Sequence, residues 1–204
     1  MQHFIIFSVN IPMGTHVDNE EIKKTIQEVL DGNVNAFSGI VDQYKKLVAH
    51  IVFRMIYDPS DREDLCQDVF IKVYQNLSNF RFESKVSTWI SKIAYNSCIN
   101  YLNKRKTKYV GDGTRDLESI PSTTTGPGHF TEDEDRMIRI HAEIRNLPPP
   151  YRAIITLYHL EEMSYHDIAE VMNLPEGTVK SYLYRARQQL KEKLINKYKF
   201  QDIS

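Results

Sequence analysis

Residues 164–190 read S-Y-H-D-I-A-E-V-M-N-L-P-E-G-T-V-K-S-Y-L-Y-R-A-R-Q-Q-L, and this stretch decides how the rest of the chain is read. Tyr165, Ile168, Ala169 and Met172 recur at helical spacing, Leu174 falls in a short break, and Pro175 is suited to opening a helix because its missing N–H is not needed there. Val179, Leu183, Ala186 and Leu190 then make one apolar stripe. The opposite face carries Lys180, Ser181, Tyr184, Arg185 and Gln188. Two amphipathic helices joined by a tight turn form a helix-turn-helix. The polar set on the second helix is the kind that reads base edges and phosphates in a major groove. An ordinary surface pair of helices would also carry cations, but would not need turn, stripe and polar face in register.

Outside this stretch the pattern is again helical. The spacing predicts helices over residues 20–31, 35–57, 62–77, 88–106, 137–146 and 151–160. Their expected inward residues include Ile22, Ile26, Val29 and Leu30 in the first, and Phe37, Ile40, Val41, Tyr44, Leu47, Val48 and Ile51 in the second. Asp58-Pro59-Ser60 breaks the second helix, with Asp61 expected to cap the third and Ser87 the fourth. Leu147 and the prolines at 148–150 read as a rigid break. Between 109 and 135 periodicity dissolves into glycine, proline, serine and threonine, the expected linker. The fold class is therefore all-α: two small helical bundles joined by a flexible linker, the C-terminal one holding the helix-turn-helix. The expected organisation is a lead-in over 1–19, a first domain over 20–108, an acidic linker over 109–135 and a second domain over 136–204.

The formal net charge of -1 argues against nucleic acid as a partner until its distribution is seen. Arg81, Lys85, Lys92, Lys104, Arg105, Lys106 and Lys108 face a single acid, Glu83, and Asp112, Asp116, Glu118, Glu132, Asp133, Glu134 and Asp135 follow against Arg115 alone. A basic block followed by an acidic one fits a DNA-facing surface beside a solvated linker. Cys66 and Cys98 lie far apart in no metal or disulfide spacing, which suits a reducing, cytoplasmic setting and two core thiols. No apolar run reaches membrane-spanning length. The segment H-F-I-I-F-S-V-N-I-P near the start lacks a basic lead and is a poor signal peptide, so translation from Met1 or from Met13 stays open.

Two further constellations need explaining. In residues 64–74, D-L-C-Q-D-V-F-I-K-V-Y, the stripe Leu65, Val69 and Val73 leaves Asp64, Gln67, Asp68 and Lys72 together on the other face. In residues 79–106, the aromatics Phe80, Phe82, Trp89 and Tyr95 interleave with Arg81, Lys85, Lys92, Asn96, Asn100 and Asn103. That mixture suits separated DNA strands, cations following phosphates while rings and pockets take unstacked bases. The plainer explanation, a solvated helix face and core aromatics, remains open for each alone. A dimeric repressor or activator would use only the helix-turn-helix and leave residues 64–106 without a role. A recombinase or nuclease would need a nucleophile or clustered carboxylates, and no histidine pair shows ligand spacing.

Taken in order, D-x-x-Q-D-x-F-x-K-x-Y, S-T-W-I-x-K-I-A-x-N, L-P, and Y-x-x-I-A-x-x-M-x-x-P-x-G-T-V-K-S-x-L-x-R-A-R resemble the RNA polymerase sigma factors of the two-domain extracytoplasmic-function (ECF) group. The resemblance spans residues 36–108 and 147–193. It implies a factor that binds core RNA polymerase, reads the −10 and −35 promoter elements and helps open DNA, without a cofactor or catalysis of its own. Asp64, Gln67, Asp68 and Lys72 would meet the clamp helices of the polymerase's largest subunit. Asn79, Phe80, Arg81, Lys85, Trp89, Lys92, Asn96 and Asn100 would meet the −10 element, and Lys180, Ser181, Tyr184 and Arg185 the −35 element, with Arg187 on backbone phosphate. Trp89-Ile90 stands where housekeeping factors show two tryptophans, which implies weaker general melting and stricter promoter choice. An anti-sigma protein is a further partner that such a resemblance implies.

Overall fold

The computed structural model describes residues 19–111 and 132–198. The elements are α1 (Asn19–Leu30), a 3-10 turn (Val34–Ala36), α2 (Phe37–Met55), α3 (Pro59–Asn76), a second 3-10 turn (Leu77–Asn79), α4 (Val86–Gly111), α5 (Glu132–Arg145), α6 (Pro149–His159), α7 (Tyr165–Met172) and α8 (Glu176–Tyr198). Among the described residues there is no strand. The reading of the N-terminal apolar segment and of most of the linker lies outside the described residues.

The first half is α1 to α4. Ile22, Ile26 and Val29 bury one side of α1, while Leu30, expected inward, is 44% exposed. Gly32, at φ +101°, ends this helix, and the Asn33 N–H donates to Glu28 O at 3.0 Å across the left-handed step. On α2, Ile40, Val48, Ile51, Val52 and Met55 are buried, and Phe37, Tyr44 and Leu47 are half-buried beside them. The cap of α3 is Asp58, not Asp61. Its carboxylate accepts from Ser60 N at 2.9 Å and Asp61 N at 3.4 Å, so Pro59 opens the helix rather than merely ending the last one. The fourth helix likewise begins at Val86, two residues before its expected start, and Ser87 lies inside it.

Helix α4 packs against α2, α3 and α7. Being covered on several sides, it buries Thr88, Ser91 and Ser97 as well as Ile90, Ala94, Tyr95 and Cys98. Burial pushes the Cys98 thiol up to about 12 and the half-buried Cys66 thiol up to about 11, so neither is a poised nucleophile.

The second half is α5 to α8. The proline break at 148–150 is also a helix start. Pro149 and Pro150 occupy the first turn of α6, and Pro148 O accepts from the N–H groups of Tyr151 and Arg152. In α6, residues from Arg152 to Leu157 are buried without interruption, because α2, α5, α7 and α8 surround it. The chain thus forms the two expected bundles. It also docks them: α7 lies on α4, α5 and α6 lie on α2, and the buried side chains run through both halves. Nothing in the hydrophobic periodicity foretold that docking. Among the described residues no helix is long and apolar enough to cross a membrane.

Candidate nucleic-acid interface

The helix-turn-helix is held by local chemistry. Ser164 caps α7: its Oγ accepts from Asp167 N at 3.1 Å and donates to the Asp167 carboxylate at 2.7 Å. At the other end Asn173 adopts the left-handed conformation, and the Leu174 N–H donates to Ala169 O at 3.0 Å. The chain then turns through Pro175, whose carbonyl accepts from Thr178 N and Val179 N. Pro175 therefore precedes the first helical residue, Glu176, instead of occupying it. Val179, Leu183, Ala186 and Leu190 are buried as expected. Each such burial contributes about 1.5–3 kcal/mol for the larger side chains, which fixes the rotation of α8 about its axis.

That rotation leaves Lys180, Ser181, Tyr184, Arg185 and Gln188 exposed on the outer face. Tyr184 is 64% exposed. Lys180 Nζ sits 5.6 Å from the Tyr165 ring centroid, and Ser181 Oγ donates back to Gly177 O at 3.0 Å. Arg187 does not join them. Its guanidinium lies 5.1 Å over the Tyr158 ring and its Nε donates to His159 Nε2 at 3.2 Å, so it braces α8 against α6. Burial and the Arg187 charge push His159 down to about 4, which keeps its Nε2 free to accept.

The second set gathers around the loop between α3 and α4. Asn79, Arg81, Asn96 and Asn100 are exposed, Trp89 and Lys92 half-buried, and Phe80 buried. The Phe80 ring packs 4.8 Å from Trp89 and 4.7 Å from Phe82, both in tilted geometry. Phe80 therefore forms the floor of the loop, and Tyr95 is core as well. Phe82 takes φ +57°, an uncommon value for an aromatic residue, and is 42% exposed at the rim. Lys85 is also at the surface, but its Nζ reaches Asp167 of α7 at 3.1 Å.

On α3, Asp64, Gln67 and Asp68 are exposed together. Lys72 leaves that face, since its Nζ donates to Ser97 Oγ of α4 at 2.9 Å. The reason is helical pitch: eight residues beyond Asp64 the direction has drifted by about 80°, whereas seven residues bring it back to within about 20°. The residue seven on is Ile71, 53% exposed, which the sequence reading left unassigned. Among the described residues no group of His, Cys, Asp and Glu is arranged to hold a metal ion.

Comparison with known proteins matches residues 40–108 to the model of Sigma-70 region 2 and residues 137–190 to that of Sigma-70, region 4. The ECF RNA polymerase sigma factor SigW of Bacillus subtilis is 35% identical over 181 residues, covering 85% of this chain and 96% of that protein. The chain belongs to the ECF sigma factors. The ECF RNA polymerase sigma-E factor of Escherichia coli is 33% identical over 184 residues, covering 83% of this chain and 92% of its own. Among solved structures, CnrH, in complex with the cytosolic domain of CnrY, superposes with TM-score 0.63 at 19% identity, covering 86% of this chain and 97% of that one. The sigma factor RpoE of Bartonella quintana, in complex with the anti-sigma factor NepR, superposes with TM-score 0.63 at 23% identity, covering 76% and 94%. The region 2 match of this ECF factor runs from α2 through most of α4, and its region 4 match stops at Leu190, where the buried stripe of α8 ends.

Proposed function

We propose that this chain binds core RNA polymerase and directs initiation at promoters by reading a −10 element with its first half and a −35 element with its second. In this reading residues 20–108 form the region 2 domain and residues 136–204 the region 4 domain. The observation that carries it is the presence in one ECF factor of three separate outward faces: the Asp64–Gln67–Asp68 stripe, the loop and outer edge of α4, and the polar face of α8.

The stripe on α3 is acidic and amide-rich with Ile71 in line, a surface suited to a basic helical partner with an apolar centre. The partner assigned to it is the clamp of the polymerase's largest subunit. Asn79, Arg81, Lys85, Trp89, Lys92, Asn96 and Asn100 take the −10 element, and Phe80 supports them from below. Unstacking DNA costs a few kcal/mol per step, and capture of an extruded base offsets part of it. Lys180, Ser181, Tyr184 and Arg185 take the −35 element from the major groove. The polymerase supplies catalysis, so the chain is a cytoplasmic initiation factor and not an enzyme. Family membership also makes an anti-sigma protein a partner to seek.

The test is reconstitution. The purified chain, added to core polymerase lacking any sigma factor, is expected to yield run-off transcripts from a subset of genomic fragments. No transcripts and no co-elution with core would overturn the reading.

A further inference from the structure

Four arginines meet at the C-terminal end of α2. Arg54 lies in the last turn of that helix, Arg62 in the first turn of α3, Arg145 at the end of α5 and Arg152 in the first turn of α6. Hydrogen bonds tie them into one group. Arg54 Nη2 meets His141 Nε2 at 3.1 Å, and His141 stands one turn before Arg145 on α5. The Tyr57 hydroxyl donates to Arg145 O and accepts from Arg152 Nη1, and the Arg152 guanidinium lies 4.8 Å over the Tyr57 ring. Arg62 Nε donates to Ile56 O at 2.8 Å.

The last carbonyls of α2 explain part of this gathering. Arg62 takes Ile56 O, and Arg152 points at Arg54 O and Met55 O, 3.5 and 3.4 Å away. They do not explain Arg54 or Arg145. Among the described residues Arg54, Arg62 and Arg145 make no ion pair with a carboxylate. Asp58, the acid whose charge Arg62 feels, is committed to the cap of α3. The Arg145 Nε–H is buried without an acceptor. Arg54 and Arg62 are half-buried, and burial followed by the Arg145 charge holds both below the usual guanidinium range. Crowded like charges beside an orphaned buried N–H are costly unless an anion joins them. A phosphate group suits the place. It carries about −1.5 to −2 charge, offers several acceptor oxygens and takes the planar fork of arginine two bonds at a time.

We propose that Arg54, Arg62 and Arg145 form a binding site for a small phosphate-bearing anion at the junction of α2, α3 and α5. The half-buried setting favours inorganic phosphate, pyrophosphate or the tail of a nucleotide over a strand, whose phosphates are flanked by sugars on both sides. None of the residues assigned to polymerase or promoter belongs to the site. It therefore gives the factor a chemical input separate from promoter reading, and the inference does not depend on those assignments.

The test is thermal unfolding of the full chain at constant ionic strength, in sodium chloride alone and with pyrophosphate at about 10 mM. Pyrophosphate is expected to raise the wild-type midpoint by about 2–4 °C over chloride. Arg145→Gln relieves the crowding and gives up an N–H that has no acceptor, so it should melt no lower than wild type in chloride and lose the rise. Lys24→Gln, at an exposed cation on α1, should keep the rise. Arg145→Lys keeps the charge without the planar fork, and calorimetric titration should show it binding pyrophosphate about tenfold more weakly than wild type. The same titration with a mixed-sequence twelve-nucleotide single strand separates the sources. Heat from the strand that Arg145→Gln abolishes, with none from pyrophosphate, would assign the site to nucleic acid and overturn the small-anion claim. No rise in the wild type, or an equal rise in wild type, Arg145→Gln and Lys24→Gln, would overturn the site itself.

Discussion

The face of α8 and the loop before α4 carry the same types of side chain and present them differently. On α8 the proposed readers stand on a rigid helix, point outward, and make few contacts beyond their own turn and Tyr165. At the loop, the aromatic floor is packed, Phe82 is held at positive φ, and Lys85 is engaged by the other half of the molecule. A preformed helix suits a duplex, whose groove is already shaped. A loop proposed to receive an unstacked base has to open. The contrast teaches that exposure separates the readers more sharply than composition does.

The largest effect should come from the side of α8 that faces inward. Leu183→Ala is expected to cost about 2–5 kcal/mol in urea unfolding, whereas its exposed neighbour Tyr184→Ala should leave stability within about 0.5 kcal/mol and lower promoter use instead. Equal stability losses at both positions would place the rotation of α8 wrongly. Next, Lys180→Ala and Arg185→Ala should each lose about 1–3 kcal/mol of −35 duplex binding in the polymerase complex, measured by fluorescence anisotropy. Arg187→Ala should spare duplex binding and cost about 1 kcal/mol of stability, because its cation–π contact with Tyr158 is internal. Comparable binding losses at Arg185 and Arg187 would restore the phosphate role to Arg187.

A third effect is expected from pH. Burial and the charges of Arg54 and Arg145 push His141 down to about 4, and His159 falls to about 4 through burial and Arg187. Their folded values lie below the unfolded value of about 6.5, so the unfolded chain takes up these protons first. Stability from these sites is full above about pH 6.5 and is lost as pH falls toward 4. Urea midpoints should therefore drop between pH 7 and pH 5, and His141→Gln should flatten that slope; an unchanged slope would show that His141 is protonated in the folded chain. The smallest effect concerns Gly177. A Cβ there would meet nothing within 4 Å, so Gly177→Ala should stabilise α8 by up to about 1 kcal/mol. If the same change weakens −35 binding, the glycine serves close approach of the DNA backbone.

Most of the helical architecture was legible because the bundles are amphipathic and periodic. The helix-turn-helix was the clearest case, since Val179, Leu183, Ala186 and Leu190 admit one orientation only. Starts were less legible where proline was involved: Pro59 and Pro149 both read as breaks, yet each lies in a first turn, where a missing N–H costs nothing. Lys72 was grouped with Asp64 and Asp68 because the stripe was followed at four-residue steps, which drift around the helix, and Ile71, which lies in line with them, was left unassigned. The contact of Arg187 with the Tyr158 ring was not legible, because the two residues are distant in sequence and a cation beside a polar helix face carries no mark of an internal partner. Asp167 gave no signal at all, since a capping acid at the third helical position is ordinary and its contacts to Thr88 and Lys85 are distant in sequence.

The central claim is that one chain lends two separate sequence readers to core polymerase. The direct measurement is run-off transcription from a randomised promoter library, with the transcribed templates sequenced for the wild-type chain and for Arg185→Ala. The account expects two separated blocks of base preference, with Arg185→Ala changing the upstream block and leaving the downstream one intact. A single block, or one substitution altering both, would contradict it.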